Sequence, residues 1–276
     1  MTKVNMDKVK NGLENAPAVT SGGSPIEALI SKEGTRKRFQ DVLGKKAAGF
    51  LSSVLSAYNT NSALQECEPA TVLSSAMVAA TLDLPINANL GFAYIVPYKG
   101  KATFQMGWKG FVQLAMRSGL YKTINVTEVR KGQLKSYNPF TGEMEFVVTT
   151  DDDNEVVGYV AYERLLNGFE KYVYMTKADT ERHAKKFSQS YKKGYGVWVD
   201  DFDSMAKKTV IKALLSKWGV LSIEMQKAIE FDQAAVVDDK PVYLDNGDKI
   251  VDATAEPIEG ESAPGLAGEE GPNRDK

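Results

Sequence analysis

The first section of the chain, up to residue 81, carries hydrophobic residues at helical spacing. Ser24-Pro25-Ile26-Glu27 is typical of a capped helix start with proline in the first turn. From Lys45 the apolar residues recur three or four positions apart, and Pro69 begins a second run of this kind. We therefore predict a helical first section whose apolar faces form core.

Beyond residue 91 the hydrophobic pattern changes to the short apolar runs and turns of a sheet. The runs 92–98 and 102–106 are joined by Lys99-Gly100, and a helix over 108–118 ends at Gly119. Asn167-Gly168 is a second hairpin turn. Further strands are predicted over residues 122–129, 143–150, 156–165 and 170–175.

Helical spacing returns after the strands. Thr176, Asp201 and Ser222 are capping residues that each precede a helical run, with Asp200 as an alternative to Asp201. The last run ends near residue 233. Beyond it, the pattern is compatible with a small hairpin over 242–251.

Helices, then an antiparallel meander, then helices indicate an α+β protein. We predict a curved antiparallel β-sheet, built from a meander of hairpins and flanked by helices, in one domain over residues 25–233. We expect residues 1–24 to be a disordered N-terminal tail. Residues 234–276 are rich in acidic residues, glycine and proline, and we expect a flexible acidic C-terminal tail.

The charges are divided unevenly along the chain. The whole chain has a formal net charge of −2, from 34 basic and 36 acidic residues. Residues 1–219 hold 29 basic and 22 acidic side chains, a net of +7, whereas residues 220–276 hold 5 and 14, a net of −9. A basic folded part with an acidic tail indicates a polyanionic partner, and a solvated surface with a solubility tail is the alternative.

Rare residue types exclude several classes of enzyme. Cys67 is the one cysteine and His183 the one histidine, which rules out a disulfide within the chain and a zinc site of cysteines and histidines. No Gly-x-x-x-x-Gly-Lys-Ser/Thr sequence is present, so a P-loop ATP site is not expected. No apolar run approaches the roughly 18 residues of a membrane helix, and residues 1–17 lack the apolar stretch of a signal peptide. We expect a cytoplasmic protein with no catalytic residue, metal or cofactor.

The stretch 97–125 combines basic and aromatic residues and contains no acidic residue. Its basic residues are Lys99, Lys101, Lys109, Arg117 and Lys122. Cations neutralise phosphates and aromatic faces stack on bases, so this stretch is a candidate DNA-binding segment. The alternative is that its aromatic residues form the core of a hairpin and of the helix after it.

A second basic segment follows the sheet. Arg182, Lys185 and Lys186 lie within about one helical turn and share a face. The loop after them carries Tyr191 and Lys192, and its glycines allow it to follow a nucleic-acid backbone. We interpret the segment as a phosphate-binding surface, and an exposed basic helix face is the alternative.

The helix predicted from residue 201 to 218 contributes a third basic group. Its apolar residues form one stripe, and Lys208 and Lys212 stand four apart on another face, beside Lys207. Like charges at this spacing repel each other, and a polyanion laid along them would offset the repulsion. The three lysines are therefore candidate DNA ligands.

Five segments together resemble one protein family. They are residues 84–91 (LPINANLG), 93–98 (AYIVPY), 104–111 (FQMGWKGF), 114–119 (LAMRSG) and 198–212 (WVDDFDSMAKKTVIK). In this order the chain resembles the RecT family of phage single-strand DNA annealing proteins over residues 84–219. The flanks 1–30 and 234–276 carry no matching motif.

The resemblance implies an ATP-independent recombinase that binds single-stranded DNA, forms rings or helical filaments, and anneals complementary strands through a duplex intermediate. It implies a phage exonuclease and a host single-strand binding protein as partners, in the cytoplasm of a bacterial host, and no membrane. The implied fold is similar to the core of ring-forming annealing proteins. Carried over by position, the residues that would line the DNA groove are Asn89, Lys109, Arg117, Lys207, Lys208 and Lys212.

Two alternatives of other classes remain open. Asp151, Asp152 and Glu155 could hold a divalent cation in a metal-dependent nuclease. Consecutive residues rarely converge on one ion, so a solvated strand turn competes with that interpretation. The other alternative is a phage structural protein whose basic face meets protein.

Overall fold

The computed structural model describes residues 24–148 and 155–244. These residues form an α+β fold in which helices flank antiparallel sheets. The predicted fold class is confirmed. The helices are α1 (Pro25–Ile30), α2 (Glu33–Leu43), a 3₁₀ turn (Gly44–Lys46), α3 (Ala47–Thr60), α4 (Ser62–Gln65), α5 (Pro69–Thr81), α6 (Trp108–Arg117), α7 (Lys177–Phe187), α8 (Gln189–Lys192), α9 (Val197–Asp200), α10 (Phe202–Lys217) and α11 (Ile223–Phe231). The strands are β1 (Ala93–Tyr98), β2 (Lys101–Met106), β3 (Tyr121–Arg130), β4 (Leu134–Tyr137), β5 (Met144–Phe146), β6 (Val156–Leu165), β7 (Glu170–Thr176), β8 (Ala234–Val237) and β9 (Lys240–Val242).

Helices begin at the capping residues that the sequence indicated. The hydroxyl of Thr176 accepts a hydrogen bond from the backbone N–H of Asp179 at 3.0 Å, at the start of α7. Asp201 caps α10 and Ser222 caps α11 in the same way, each at 3.2 Å. These bonds satisfy N–H groups that a helix start leaves without an intrahelical partner. Of the two candidates for α10, Asp201 is the cap.

Tight turns fix the two long hairpins. Lys99 and Gly100 have φ angles of 49° and 74°, the left-handed backbone that a two-residue turn between β1 and β2 requires. Between β6 and β7, Gly168 has a φ of 91°, and the side chain of Asn167 accepts the N–H of Phe169 at 2.9 Å. Both turn predictions are confirmed.

The strands form separate sheets, so the sheet predicted as one meander is divided. One sheet has the order β1-β2-β8-β9 and another has the order β3-β6-β7. Helix α6 carries the chain from β2 in the first sheet to β3 in the second. Within the described residues, β4 pairs with β5 alone, as a hairpin.

Strand β8 corrects the predicted end of the core. Its first three residues are buried, and it pairs with β2 through Thr103 and Ala235. The buried structure therefore continues past the boundary predicted at residue 233. A hairpin over 234–242 completes the first sheet. Most of the hairpin predicted over 242–251 lies outside the described residues. The rest of both predicted tails lies outside the described residues.

Helix α10 lies at the centre of the fold. It packs against α6 and against all three strands of the second sheet, so residues on several of its faces are buried, including Ile211 and Leu215. Ala184, Trp198 and Met205 form a small separate core at α7, α9 and α10. None of the described helices is long and apolar enough to cross a lipid bilayer.

Candidate nucleic-acid interface

The first candidate group is built where the loop before β1 lies against the start of α6. The backbone N–H of Gly107 donates to the carbonyl of Phe92 at 2.9 Å. A Cβ at Gly107 would stand 2.0 Å from the carbonyl oxygen of Gly91, so this close approach requires a residue without a side chain. The contact fixes the loop that carries Asn89 beside the helix that carries Lys109.

Asn89 and Lys109 are the predicted residues that this packing brings together. Both are exposed. The stem of Lys109 passes beside Gly91, and its Nζ lies 5.7 Å from the ring centre of Trp108. No carboxylate within the described residues forms an ion pair with Lys109, so its charge is available to an external anion.

The second candidate group is the outer face of α7 and α8. Its predicted cations, Arg182, Lys185, Lys186 and Lys192, are all exposed. Arg182 is paired with Asp179, less than one turn earlier. The Nζ of Lys186 lies 5.4 Å from the ring centre of Phe187. The cations of this face outnumber its carboxylates, which leaves a basic surface.

Aromatic residues pack beneath the outer face of α7 and α8. The ring centre of Tyr191 lies 6.2 Å from that of Trp198, and Tyr191 is half-buried. His183 packs against the same tryptophan at 6.3 Å. Burial, together with the charges of Lys212 and Lys186, lowers the pKa of His183 to about 4, so the imidazole is neutral at pH 7. Packing thus accounts for the aromatic contacts of Tyr191.

The two exposed groups lie around the start of α10. Burial raises the pKa of Tyr94, which stands beside Gly91, and the charge of Asp201 raises it further. Helix α10 packs against α6, and just beyond their ends the N–H of Val220 donates to the hydroxyl of Tyr121 at 2.8 Å. The two helices therefore begin on the same side of the fold, where α9 leads into α10. We refer to the six predicted residues of the two groups as the basic surface: Asn89, Lys109, Arg182, Lys185, Lys186 and Lys192.

The three predicted lysines of α10 are engaged by carboxylates of their own chain. Lys208 and Lys212 each place Nζ 2.8 Å from a carboxylate oxygen of Asp232, and Lys207 places its Nζ 2.7 Å from Glu128. Lys208 is 4% exposed. The face that carries Lys208 is therefore covered, because neighbouring elements pack against α10 on several sides.

Asp232 is the residue that the sequence analysis missed. Its buried carboxylate also accepts the backbone N–H of Met106 at 3.0 Å. Burial alone would raise the pKa of Asp232, but the ammonium groups of Lys208 and Lys212 outweigh it and hold the pKa below its ordinary value. The ion triad joins α10 and the end of α11 to β2. One carboxylate in the otherwise largely apolar run 231–237 was the available signal.

Arg117 and Lys99 bond to backbone carbonyls. The guanidinium of Arg117 donates to the carbonyls of Leu82 and Asp83 at 2.6 and 2.7 Å, and so closes the end of α5. The Nζ of Lys99 donates to the carbonyl of Leu244 at 3.1 Å. Both side chains therefore hold the fold together at these points.

Lys101 and Lys122 lie apart from the basic surface. Lys101 is half-buried beside the β1–β2 turn, where the N–H of Glu68 bonds the carbonyl of Gly100 at 2.9 Å. The six residues of β2 place this turn about 20 Å from the end that leads to Lys109. Lys122 is exposed at the start of β3.

Of the three acidic residues of the nuclease alternative, the structure describes only Glu155. Asp151 and Asp152 lie outside the described residues, and Glu155 is exposed. Across 24–148 and 155–244, no three side chains of histidine, cysteine, aspartate or glutamate converge as a metal site requires.

Comparisons with known proteins agree with the segments noted in the sequence. The RecT family model matches residues 48–244. The chain is 46% identical to uncharacterized protein YqaK of Bacillus subtilis (strain 168), over 91% of this chain and 93% of that protein. It is 30% identical to protein RecT of Escherichia coli (strain K12), over 68% of this chain and 70% of that protein. The family match runs from α3 through β9, and so includes the hairpin after residue 233.

Proposed function

The chain belongs to the RecT family, which implies single-strand annealing in recombination, and from this premise we propose that it binds single-stranded DNA, self-associates along it and anneals complementary strands without ATP or a metal. The observation that carries the proposal is the basic surface, whose cations are exposed around one end of α10. The partners are the two strands and their duplex intermediate, further copies of the chain in a ring or filament, a phage exonuclease and a host single-strand binding protein. The place of action is the cytoplasm of a bacterial host.

Charge neutralisation is the physical basis of the proposed activity. Two DNA strands repel each other through their phosphates, and lysine and arginine side chains beside the backbone reduce that repulsion. Lys109, Lys185 and Lys192 are suited to this role, because they are exposed and form no ion pair within the described residues. Contacts to phosphate carry no sequence information, so the bases stay available to a second strand.

Base pairing then selects the partner strand. Each correct stacked step contributes about 1.4 kcal/mol, so matched strands remain together and mismatched strands dissociate. No covalent bond is made or broken, and the protein needs no nucleophile. Lys207, Lys208 and Lys212 have a structural role in this proposal, since their charges are compensated by Glu128 and Asp232.

Salt dependence of binding tests the basic surface. If Lys185 and Lys192 each contact one phosphate, replacing both with alanine reduces the slope of log affinity against log salt by about 1.4, at roughly 0.7 per contact on a single strand. Lys32→Ala with Lys37→Ala removes the same charge from exposed positions of the helical first section, and we expect it to keep the parent slope. An equal change of slope in both double variants would contradict the assignment of the site.

Annealing itself is measured with labelled complementary oligonucleotides in the absence of ATP. We expect the protein to accelerate duplex formation, and the Lys185/Lys192 double variant to lose most of that acceleration. Incubation of one labelled strand with magnesium separates annealing from the nuclease alternative, because a nuclease shortens the strand. Strand shortening, or a rate equal to that of protein-free strands, would refute the proposal.

A further inference from the structure

An extended apolar patch lies at the end of the second sheet that carries the β6–β7 turn. It combines the α6–β3 junction, that turn and the α10–α11 link. We call it the end patch, formed by Met116, Leu120, Leu166, Phe169, Trp218 and Ile223, all of them exposed. Leu166 is 65% exposed and Ile223 81%. Contiguous apolar patches of more than a few hundred Å² are rare on monomers and mark interaction sites.

Direct contacts hold the segments of the end patch together. The ring centres of Phe169 and Trp218 are 6.5 Å apart. The backbone N–H of Leu166 donates to the carbonyl of Leu120 at 3.0 Å. These contacts join the β6–β7 turn to the end of α10 and to the residue before β3. Helix α11, which begins at Ile223, packs against α6, which carries Met116, so the segments of the end patch are adjacent.

The tip of the β4–β5 hairpin extends this surface. Lys171 places its Nζ 5.0 Å from the ring centre of Trp218 and 2.8 Å from the carbonyl oxygen of Thr141. The neighbouring residue, Phe140, is 97% exposed. A large aromatic side chain therefore stands in solvent beside the end patch.

We propose that the end patch binds a second copy of this chain, an inference that rests on the proposed function because family membership implies self-association. Its central side chains are apolar, and its edge carries the carboxylates of Glu170 and Glu224 as well as cations, so a polyanion is not the partner that it fits. At roughly 150–250 Å² for a whole aromatic side chain, Phe140, Phe169 and Trp218 together expose about 400 Å². The exposed aliphatic residues add to this, toward the roughly 800 Å² per partner of a standard interface.

The charges around the end patch suit a second copy. Glu170 and Glu224 are exposed at its edge, and so are Lys122 and Lys217. A partner of one uniform charge would meet repulsive as well as attractive groups here. Another copy of the chain brings the same mixture of signs, so an interface can pair them.

The position of the end patch is compatible with DNA binding by the same protomer. Strand β7 runs from the turn at the end patch to the start of α7. Its seven residues span about 23 Å. A second copy bound at the end patch therefore leaves the outer face of α7 and α8 open to DNA.

A charge-neutral double variant tests the interface. Ile223→Glu with Leu166→Lys places two charges in the end patch without changing the net charge, and glutamate is favourable at the first position of a helix. The matched control, Val148→Glu with Val42→Lys, alters exposed apolar residues elsewhere. For each protein we measure the mass by sedimentation without DNA, the affinity for an oligonucleotide too short for two protomers, and the affinity per site on a long single strand.

We expect the end-patch variant to keep the parent affinity for the short oligonucleotide. Its mass should fall to that of one 30.2 kDa chain, and its affinity on the long strand should fall at least tenfold, with the control unchanged. Parent-like mass and long-strand affinity in the variant would overturn the inference. The inference would also be overturned if the parent protein sediments as a single chain without DNA and binds the long strand with no higher affinity per site than the short oligonucleotide. If the parent binds neither the short oligonucleotide nor the long strand, the proposed function fails. The masses of parent and variant without DNA still show whether the end patch binds a second copy.

Discussion

Glu163 is a buried carboxylic acid, and it makes the stability of the fold depend on pH. It lies in the middle strand of the second sheet, opposite Ile124 and Lys171, and is 0% exposed. Neither carboxylate oxygen has a hydrogen-bond partner within the described residues. The ammonium of Lys171 is directed to Thr141. Burial raises the pKa of Glu163 from its ordinary 4.5 to about 7.

The sign of the effect follows from proton binding in the two states. Below pH 4.5 the acid is protonated in both the folded and the unfolded chain, and its contribution to stability is complete. As the pH rises toward 7 the unfolded chain ionises first, and above 7 the folded chain must hold a buried carboxylate. A pKa shift of this size reduces the free energy of unfolding by about 3 kcal/mol above pH 7.

Glu163→Gln removes the titration and keeps the shape. We expect equal stability of variant and parent near pH 4, and a variant that is more stable by up to about 3 kcal/mol at pH 8. Urea denaturation across this range measures the difference, and taking the difference cancels the other titrating groups. Glu155→Gln, at an exposed position, is the matched control and should show no such trend. A difference between Glu163→Gln and the parent that does not change with pH would refute the reasoning.

Two further predictions concern the end of the core. Asp232→Ala leaves the buried ammonium of Lys208 uncompensated and should cost about 3–5 kcal/mol in urea denaturation. Asp232→Leu with Lys208→Met should recover most of that loss, and a double variant as unstable as the single one would contradict the pairing. A chain that ends after residue 233 should lose its cooperative thermal transition by circular dichroism, because it lacks the buried strand β8. A chain that ends after residue 244 should keep it, and equal melting of both truncations would show that β8 is dispensable.

Local signals predicted the parts of the fold that depend on neighbouring residues. The turns at Lys99-Gly100 and Asn167-Gly168 could be predicted because few residue types other than glycine and asparagine readily accept left-handed backbone. The caps at Thr176 and Ser222 could be predicted because short polar side chains accept hydrogen bonds from the backbone N–H groups of the first helical turn. Strand β4 was missed, since its sequence LKSY has no clear alternation.

These local signals do not predict contacts between residues that are far apart in the chain. Helical spacing placed Lys208 away from the apolar stripe, but only the packing of α10 against both α6 and the second sheet decides which faces are covered. The acidic partners Glu128 and Asp232 come from β3 and the end of α11, far along the chain. The exposed cations Lys109, Lys185 and Lys192 were found by composition, because a surface needs no distant partner to remain in solvent.

The pairing of β2 with β8 also sets the order in which the chain can mature during synthesis. Phe104 meets Ala234, which is 130 residues later (234 minus 104). At roughly 5–20 residues per second, a ribosome takes on the order of 10 s to make that intervening segment. Throughout this interval β2 presents an open backbone edge, a template for pairing with other nascent chains. When many ribosomes translate the same message, nascent chains can therefore pair wrongly through β2 until β8 has been made.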